Sequence, residues 1–512
     1  MDRTDPFWPS MRTKSLSPPG RHPLGPLWND TDGSLRREII ESLVNVEWHV
    51  IDILRLGYDR IDGEDPGHWS HPITLLVSVE PATVAWEEGH AAVLRCKAIL
   101  ERHGINDVPC EMKESRICPA VSSEQPAGPQ LGLPPALASP IVQAHAQAII
   151  SDCTGVAIGV GSLAGTKGLY FRRNGLADHD SNILALTCRH VVFAQKEDDQ
   201  KEYRFDPTKP KVSVMQPDER TLGTHKGLVK GAVEILKDDI KTLKEQAMHQ
   251  GFTEDPRIEG STGLLNSLIS QQQDYEKLLK ELASFDSELS RTIGHVWFAP
   301  AYGYRQLDYP VHPDQPHQNR HFRDWALFEL DPRKHQRPLD EIANRVFVGD
   351  GWRIKVKYAL QKAQRFRGLV QHGTTLALRG IIPVEEVYNP PLENDENDPV
   401  IAVAKVGRSS GLTIGFGSMY KSVKREILDG QTQYTEEWCI TGVRLFKDQV
   451  GISPFSAKGD SGACVFDLQG RIGGLVTGGA SGNDKTLDTT YVAPIEWILK
   501  SMEENGLNLS IV

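Results

Sequence analysis

From Ile141 to the C-terminus the chain is written in short apolar runs closed by glycine, and this pattern restricts its fold more than any other feature. Thr154–Gly165 is Gly-rich and apolar; Ile183–Thr187, Gly294–Ala299 and Ala326–Leu330 follow it. Apolar runs of about four to eight residues between turn signals suit buried strands better than helices. Val400–Gly417 reads as a hairpin with glycine-marked turns and Glu437–Val443 as a further strand. Ala463–Asp467 pairs naturally with Ile472–Gly479 across Gln469-Gly470. The 45 Gly and 32 Pro of this 512-residue chain supply the turns that such a β architecture needs. Pro494–Asn505 is an amphipathic helix that closes the fold, and Gly506 stops it.

One block breaks the β pattern. Residues 228–291 carry apolar residues at helical spacing (Leu264, Leu265, Leu268, then Leu278, Leu279, Leu282) among Lys, Glu, Gln and Asp. Phe252–Gly263, with Pro256 and Gly260, divides the block into Leu228–Gln250 and Leu264–Leu289. An antiparallel helical hairpin inserted into the β region is expected here.

Ahead of Ile141 the reading differs. Residues 1–33, dense in Pro, Arg, Ser and Gly, are expected to be a disordered tail. A helix should start at Ser34, with Leu35, Ile39, Ile40 and Leu43 as its apolar stripe. Strands follow at Val44–Ile51, Pro72–Val79 and Val108–Ile117, with a helix over Trp86–His103 that Gly104 ends. Residues 34–120 would then be a small α/β domain of unknown role, and 121–140, rich in Pro, Ala, Gly and Ser, a linker. His68, His71, His90 and His103 have no metal-ligand spacing and are read as structural or surface residues.

Hydrophobic residues at 39% and charged residues at 24% fit a soluble globular protein. The net charge of -11 argues against general nucleic-acid binding, which favours a basic surface. No run reaches the roughly 18 to 20 apolar residues of a membrane span. The segment after Met1 lacks the apolar core of a signal peptide. Seven cysteines, odd in number and scattered without a C-x-x-C pair, suggest reduced thiols in an intracellular, cytoplasmic protein.

Chemistry concentrates in Gly459-Asp460-Ser461-Gly462, where flanking glycines permit a sharp turn that presents a hydroxyl. A serine hydroxyl is a weak nucleophile until a base takes its proton, and that base needs an orienting partner. His190 stands at the end of the buried run Ile183–Thr187, and Asp324 just ahead of Ala326–Leu330. Thr187-Cys188-Arg189-His190, Asp324-Trp325-Ala326-Leu327 and Gly459-Asp460-Ser461-Gly462, in that order, resemble the trypsin-like (chymotrypsin-fold) serine endopeptidases. The Lys405–Gly415 hairpin looks like the second-barrel hairpin of bacterial and intracellular members. The resemblance spans roughly residues 145–500 without the helical hairpin, and leaves the N-terminal part uncovered.

The resemblance implies a mainly β protein: two six-stranded β-barrels of the trypsin-like fold at 141–505, with the inserted helical hairpin, behind the α/β N-terminal part. It implies a nucleophile at Ser461, a general base at His190 and an orienting acid at Asp324, with the oxyanion hole at the Gly459 and Ser461 N–H groups. Asp460 would anchor the oxyanion loop. The substrate pocket would be lined by Phe455, Lys458, Thr477, Gly478 and Gly479. Phe455, standing where a trypsin-type enzyme carries its acid, speaks against Lys/Arg specificity. No cofactor or metal is implied, and the partner is a polypeptide substrate; the N-terminal domain and the helical hairpin are candidate surfaces for a protein partner. Departures matter too: Cys188 and Cys464 lack disulfide partners, no activation peptide is recognisable, and the long His-to-Asp and Asp-to-Ser separations imply insertions able to occlude the cleft. The rival reading is a catalytically silent protease-like scaffold that binds peptides or protein partners.

Overall fold

Strands and helices fall in three blocks in the computed structural model, which describes residues 14–57, 71–119, 139–175, 183–194, 201–249, 257–303, 321–335, 337–359, 373–393, 398–428, 430–443, 453–481 and 489–512. The first block holds β1 Ser15–Ser17, α1 Leu24–Asn29, α2 Ser34–Ser42, β2 Trp48–Gly57, β3 Ile73–Val79, α3 Trp86–Arg102, β4 Cys110–Glu114 and β5 Arg116–Pro119. The second runs α4 Ser139–Ala148, β6 Ala157–Val160, β7 Leu163–Thr166, β8 Tyr170–Arg173, β9 Ile183–Thr187, α5 Arg189–Val192, β10 Tyr203–Arg204, β11 Ser213–Met215, α6 Glu219–His249, α7 Arg257–Ala283, β12 Thr292–Ala299 and β13 Ala326–Leu330. The third contains β14 Arg345–Phe347, β15 Thr375–Ala377, β16 Ile401–Gly407, β17 Gly411–Leu428, β18 Gln431–Gly442, β19 Cys464–Asp467, β20 Ile472–Ser481, β21 Thr489–Pro494, a terminal helix Ile495–Glu504 and β22 Leu509–Ile511.

The chain is mainly β, with two large sheets and helices around them. One sheet has the order β22-β8-β9-β13-β12-β11-β6-β7, with β10 paired to β12. Backbone hydrogen bonds from Lys167 to Val156 (2.8 Å) and from Gly168 to Leu186 (2.7 Å) continue the pairing between β6, the β7–β8 connection and β9. The other sheet contains β16-β19-β20-β21-β18-β17, and β16 also pairs with β17, so these six strands form a ring. The apolar runs are fully buried because both of their faces are covered. Leu184, Phe298 and Trp325 of the first sheet share one core with Ala404, Phe466 and Leu475 of the second. Val403, Trp438, Ile440, Val465 and Val492 pack in a separate core of the second sheet.

The N-terminal block continues the second sheet instead of standing apart. β2 pairs with β17 through Val423↔Ile51 and Lys424↔Val50, β3 with β2, and β4 with β3 in parallel. β5 pairs with β20. β17 is 18 residues long, so its far half extends past the ring and offers an edge to β2. The charged stretch Lys421, Lys424, Arg425 and Glu426 hides that extension from a reading by apolar runs.

The expected tail also differs from what is observed, for residues 14–33 are ordered. Leu24 and Trp28 are fully buried, the Trp28 indole N–H donates to the Lys421 carbonyl at 2.7 Å, and the Tyr420 hydroxyl donates to the Gly20 carbonyl at 3.0 Å. Two large apolar side chains outweigh the Pro/Gly-rich composition around them. Residues 121–138 of the expected linker and His68 lie outside the described residues. His90 stacks on Trp86 and His103 meets Glu38 at 3.0 Å.

The helical insertion starts earlier than its apolar pattern. Asp218 accepts from the Thr221 N–H at 3.3 Å and its hydroxyl at 2.5 Å, which fixes the first turn of α6. Val229, Val233 and Leu236 of α6 pack on Tyr275, Leu278 and Leu282 of α7 and on Ala146 of α4. Among the described residues no helix is long and apolar enough to cross a membrane.

Trp28→Ala is expected to lower the unfolding free energy by about 3–5 kcal/mol, the usual loss for truncating a fully buried Trp. Urea denaturation of the full chain measures it, and an unchanged midpoint would mean that residues 14–33 stand outside the cooperative fold.

Candidate active site

β9 and β13 pair with Ala326 opposite Thr187, which sets the residues just after β9 beside those just before β13. His190, in the single turn α5, therefore meets Asp324. Its ring Nδ1 lies 2.5 Å from Asp324 Oδ2, and its backbone N–H donates to Asp324 Oδ1 at 3.1 Å. Both carboxylate oxygens are thus engaged by one residue, which fixes the plane of the ring. Nε2, on the other side, lies 2.7 Å from Ser461 Oγ.

Ser461 comes from the other sheet, on the loop that enters β19. Gly459 (φ +104°) and Gly462 (φ +89°) both adopt the left-handed region that side chains disfavour. Space forbids a Cβ as well: at Gly459 it would collide with the Ser409 hydroxyl, and at Gly462 with the Thr166 carbonyl. Thr166, at the end of β7, clamps the loop from the first sheet. Its N–H donates to the Ser461 carbonyl at 2.8 Å and its hydroxyl to the Gly459 carbonyl at 3.1 Å. Among the described residues, the N–H groups of Gly459 and Ser461 donate to no backbone acceptor.

All three side chains are buried, at 3% exposure for His190, 7% for Asp324 and 0% for Ser461. Burial pushes the Asp324 carboxyl up, but the charge and hydrogen bonds of His190 outweigh it and hold the carboxyl below its ordinary value. Cys188 completes a cluster in which its sulfur, a His190 nitrogen and an Asp324 oxygen lie within 4.8 Å of one another. Burial pushes the Cys188 thiol well up, and it donates to the Val476 carbonyl at 3.1 Å. With the thiol kept protonated and both ring nitrogens committed, the cluster suits proton transfer along His190 better than a cation cage.

Asp460 sits entirely out of water beneath the Ser461 loop. Its Oδ1 accepts from the Ser409 and Ser410 N–H groups at 2.9 and 3.2 Å. Its Oδ2 accepts from the Ala457 N–H at 2.9 Å and the Ser410 hydroxyl at 2.6 Å, and lies 3.1 Å from the Lys405 ammonium. Burial pushes the Asp460 carboxyl up, yet Lys405 and these donors hold it below its ordinary range, so the pair stays ionised. Next to it, Arg408 of the β16–β17 turn makes two 2.9 Å bonds to Asp218, which joins the base of α6 to the turn that holds Asp460.

A cavity of about 180 Å³ adjoins the cluster, lined in part by His190, Asp324, Thr477, Gly478, Gly479 and Tyr302. Phe455 and Lys458, expected beside it, are elsewhere. Phe455 is fully buried in the core of the second sheet with Trp438 and Val476, where the missing side chain of Gly415 makes room for its ring. Lys458 is half-buried and does not line the cavity. Lys405 and Thr166 escape a reading for catalytic residue types. A single lysine inside the apolar run Val400–Val406 is the signal that marks the first; nothing local marks the second.

No family model and no curated protein matches the chain. Among solved structures it is similar to the crystal structure of Rv3671c protease from M. tuberculosis in its active form, with 10% identity, 77% of this chain and 93% of that chain covered, and a TM-score of 0.24.

Asp460→Asn leaves the Lys405 ammonium buried without its counter-charge, and is expected to lower stability by about 3–5 kcal/mol in denaturant titration. The pH dependence follows in sign. Carboxyls held below their ordinary value of 3.8, as at Asp324 and Asp460, contribute stability that is complete above that value and is lost as the pH falls through the lowered one. The thermal midpoint of the wild type should therefore drop steeply below pH 3.8, and a flat profile there would contradict the two assignments.

Proposed function

We propose that this chain is a serine endopeptidase of the trypsin-like kind, working through Ser461, His190 and Asp324. The observation that carries the reading is the continuous line from Asp324 through His190 to Ser461, with contacts of 2.5 and 2.7 Å. In this reading Ser461 Oγ attacks a peptide carbonyl while His190 Nε2 takes its proton. Asp324 keeps the proton of His190 on Nδ1 and stabilises the imidazolium that forms. His190 then gives the proton to the leaving amine, and an acyl group remains on Ser461. Water, deprotonated by the same ring, attacks the ester and releases the second product. The Gly459 and Ser461 N–H groups face the developing oxyanion, where loss of one such donor costs about 3–4 kcal/mol of transition-state stabilisation.

The six-strand ring of β16 to β21 and the near-continuous pairing of β6 to β13 support a two-barrel architecture with the site at their seam. The substrate is a polypeptide, held along Thr477, Gly478 and Gly479. Free thiols at Cys188, Cys439 and Cys464 fit a reducing, intracellular setting.

A fluorophosphonate probe should label wild type and fail to label Ser461→Ala; a folded wild type that stays unlabelled would sink the assignment. Asp324→Asn should keep the fold and lower kcat on an unstructured polypeptide by about 10⁴, because the ring then sits in the wrong tautomer.

A further inference from the structure

β20 serves two neighbours along one edge and then runs free of them. Up to Leu475 that edge pairs with β19, and the bonds between Val476 and both Gly462 and Ala463 carry it to the Ser461 loop. Next comes Thr477, whose carbonyl lies 3.3 Å from Ser461 Oγ. Beyond it, Gly478–Ser481 of the same edge is where an extended peptide could add as a strand and reach Ser461. In this structure the chain itself is there. β5 lies antiparallel on it with Pro119 opposite Gly478, Cys118 opposite Gly479, Ile117 opposite Ala480 and Arg116 opposite Ser481.

The placement is built into the fold. β5 continues directly from β4, whose parallel pairing with β3 ties it to the sheet, and the Ser115 N–H between them donates to the Val79 carbonyl at 2.8 Å. Ile117 packs on the buried cluster of Val50, Leu54, Cys439, Ala480 and Tyr491 and also lines the cavity beside His190. β5 runs antiparallel to β20 and ends with Pro119 opposite Gly478, one residue short of Thr477 on that edge. Ser461 itself has no exposure to solvent.

We propose that β5 is an internal pseudo-substrate strand, which fills the peptide-binding edge beside Ser461 and holds the full chain in a self-inhibited state until a polypeptide displaces it. The proposal rests on the serine endopeptidase reading of that site. A tethered strand competes at an effective concentration on the order of millimolar, so only substrates that bind the edge well, or that catch it while β5 is off, gain access.

The test uses the full chain with Arg116–Pro119 replaced by Gly-Ser-Gly-Ser, beside wild type. Hydrolysis of unfolded casein at low substrate should rise by about tenfold or more once the tethered competitor is lost, while the endpoint of fluorophosphonate labelling stays the same. Equal labelling with equal hydrolysis overturns self-inhibition and leaves the catalytic reading standing. Absence of labelling in both chains removes the catalytic reading and this proposal with it. A second measurement needs no variant. A peptidyl phosphonate long enough to lie along Gly478–Ser481 should, on reacting with Ser461, expose the Ile117 and Cys118 amides to hydrogen exchange, and a small fluorophosphonate should not. Protection that persists under the peptidyl probe overturns the proposal.

Discussion

A carboxylate with no exposure to water organises the centre of this molecule. Asp460 gathers backbone donors from Ser409, Ser410 and Ala457 and the ammonium of Lys405, and it stands directly before Ser461 in the chain. Taking both charges out of water is expensive and is tolerated only when nearly every polar valence is met. The result is a loop pinned at several points by hydrogen bonds. Gly459 and Gly462 supply the backbone angles, and the ionised pair holds the loop to the β16–β17 turn. Through Arg408 and Asp218 the same turn is joined to the start of α6, so the helical insertion, charged and solvated along most of its length, is tied at its base to the Ser461 loop.

The line of hydrogen bonds through His190 depends on two sheets keeping their positions. Asp324 and His190 share one sheet, and their approach follows from the register of β9 against β13. Ser461 belongs to the other. A spacing of 2.7 Å between them demands a rigid seam. The shared core of Leu184, Trp325, Phe466 and Leu475 supplies bulk, and Thr166 supplies the directional bonds that fix the loop to the first sheet.

Two strand pairings join the N-terminal block to this arrangement, β2 on the overlong β17 and β5 on β20. A reading by apolar runs treats such a block as separate, because strand pairing leaves no local mark on either partner. The charges at Lys421, Lys424 and Glu426 conceal where β17 continues, and the Pro-rich stretch around Trp28 looks unstructured until the pocket that receives the indole is known. Phe455 illustrates the same limit inside the site region. The resemblance implies a pocket wall there, but a bulky apolar ring goes where a glycine leaves space, here over Gly415 in the core.

What the sequence by itself determined is local: strands from short apolar runs, a helical pair from a 3.6-residue period, sharp turns from glycines flanking Ser461, and the order His190, Asp324, Ser461 at strand boundaries. These follow from backbone sterics and from the burial preferences of nearby residues. Only the tertiary structure decided which groups converge: His190 against Asp324 through strand register, Lys405 beneath Asp460, Thr166 on the Ser461 loop, and β5 along Gly478–Ser481 of β20. Each joins segments far apart in the chain, and such contacts are set by packing and by the need to satisfy buried charge and hydrogen-bonding groups, which no local pattern encodes.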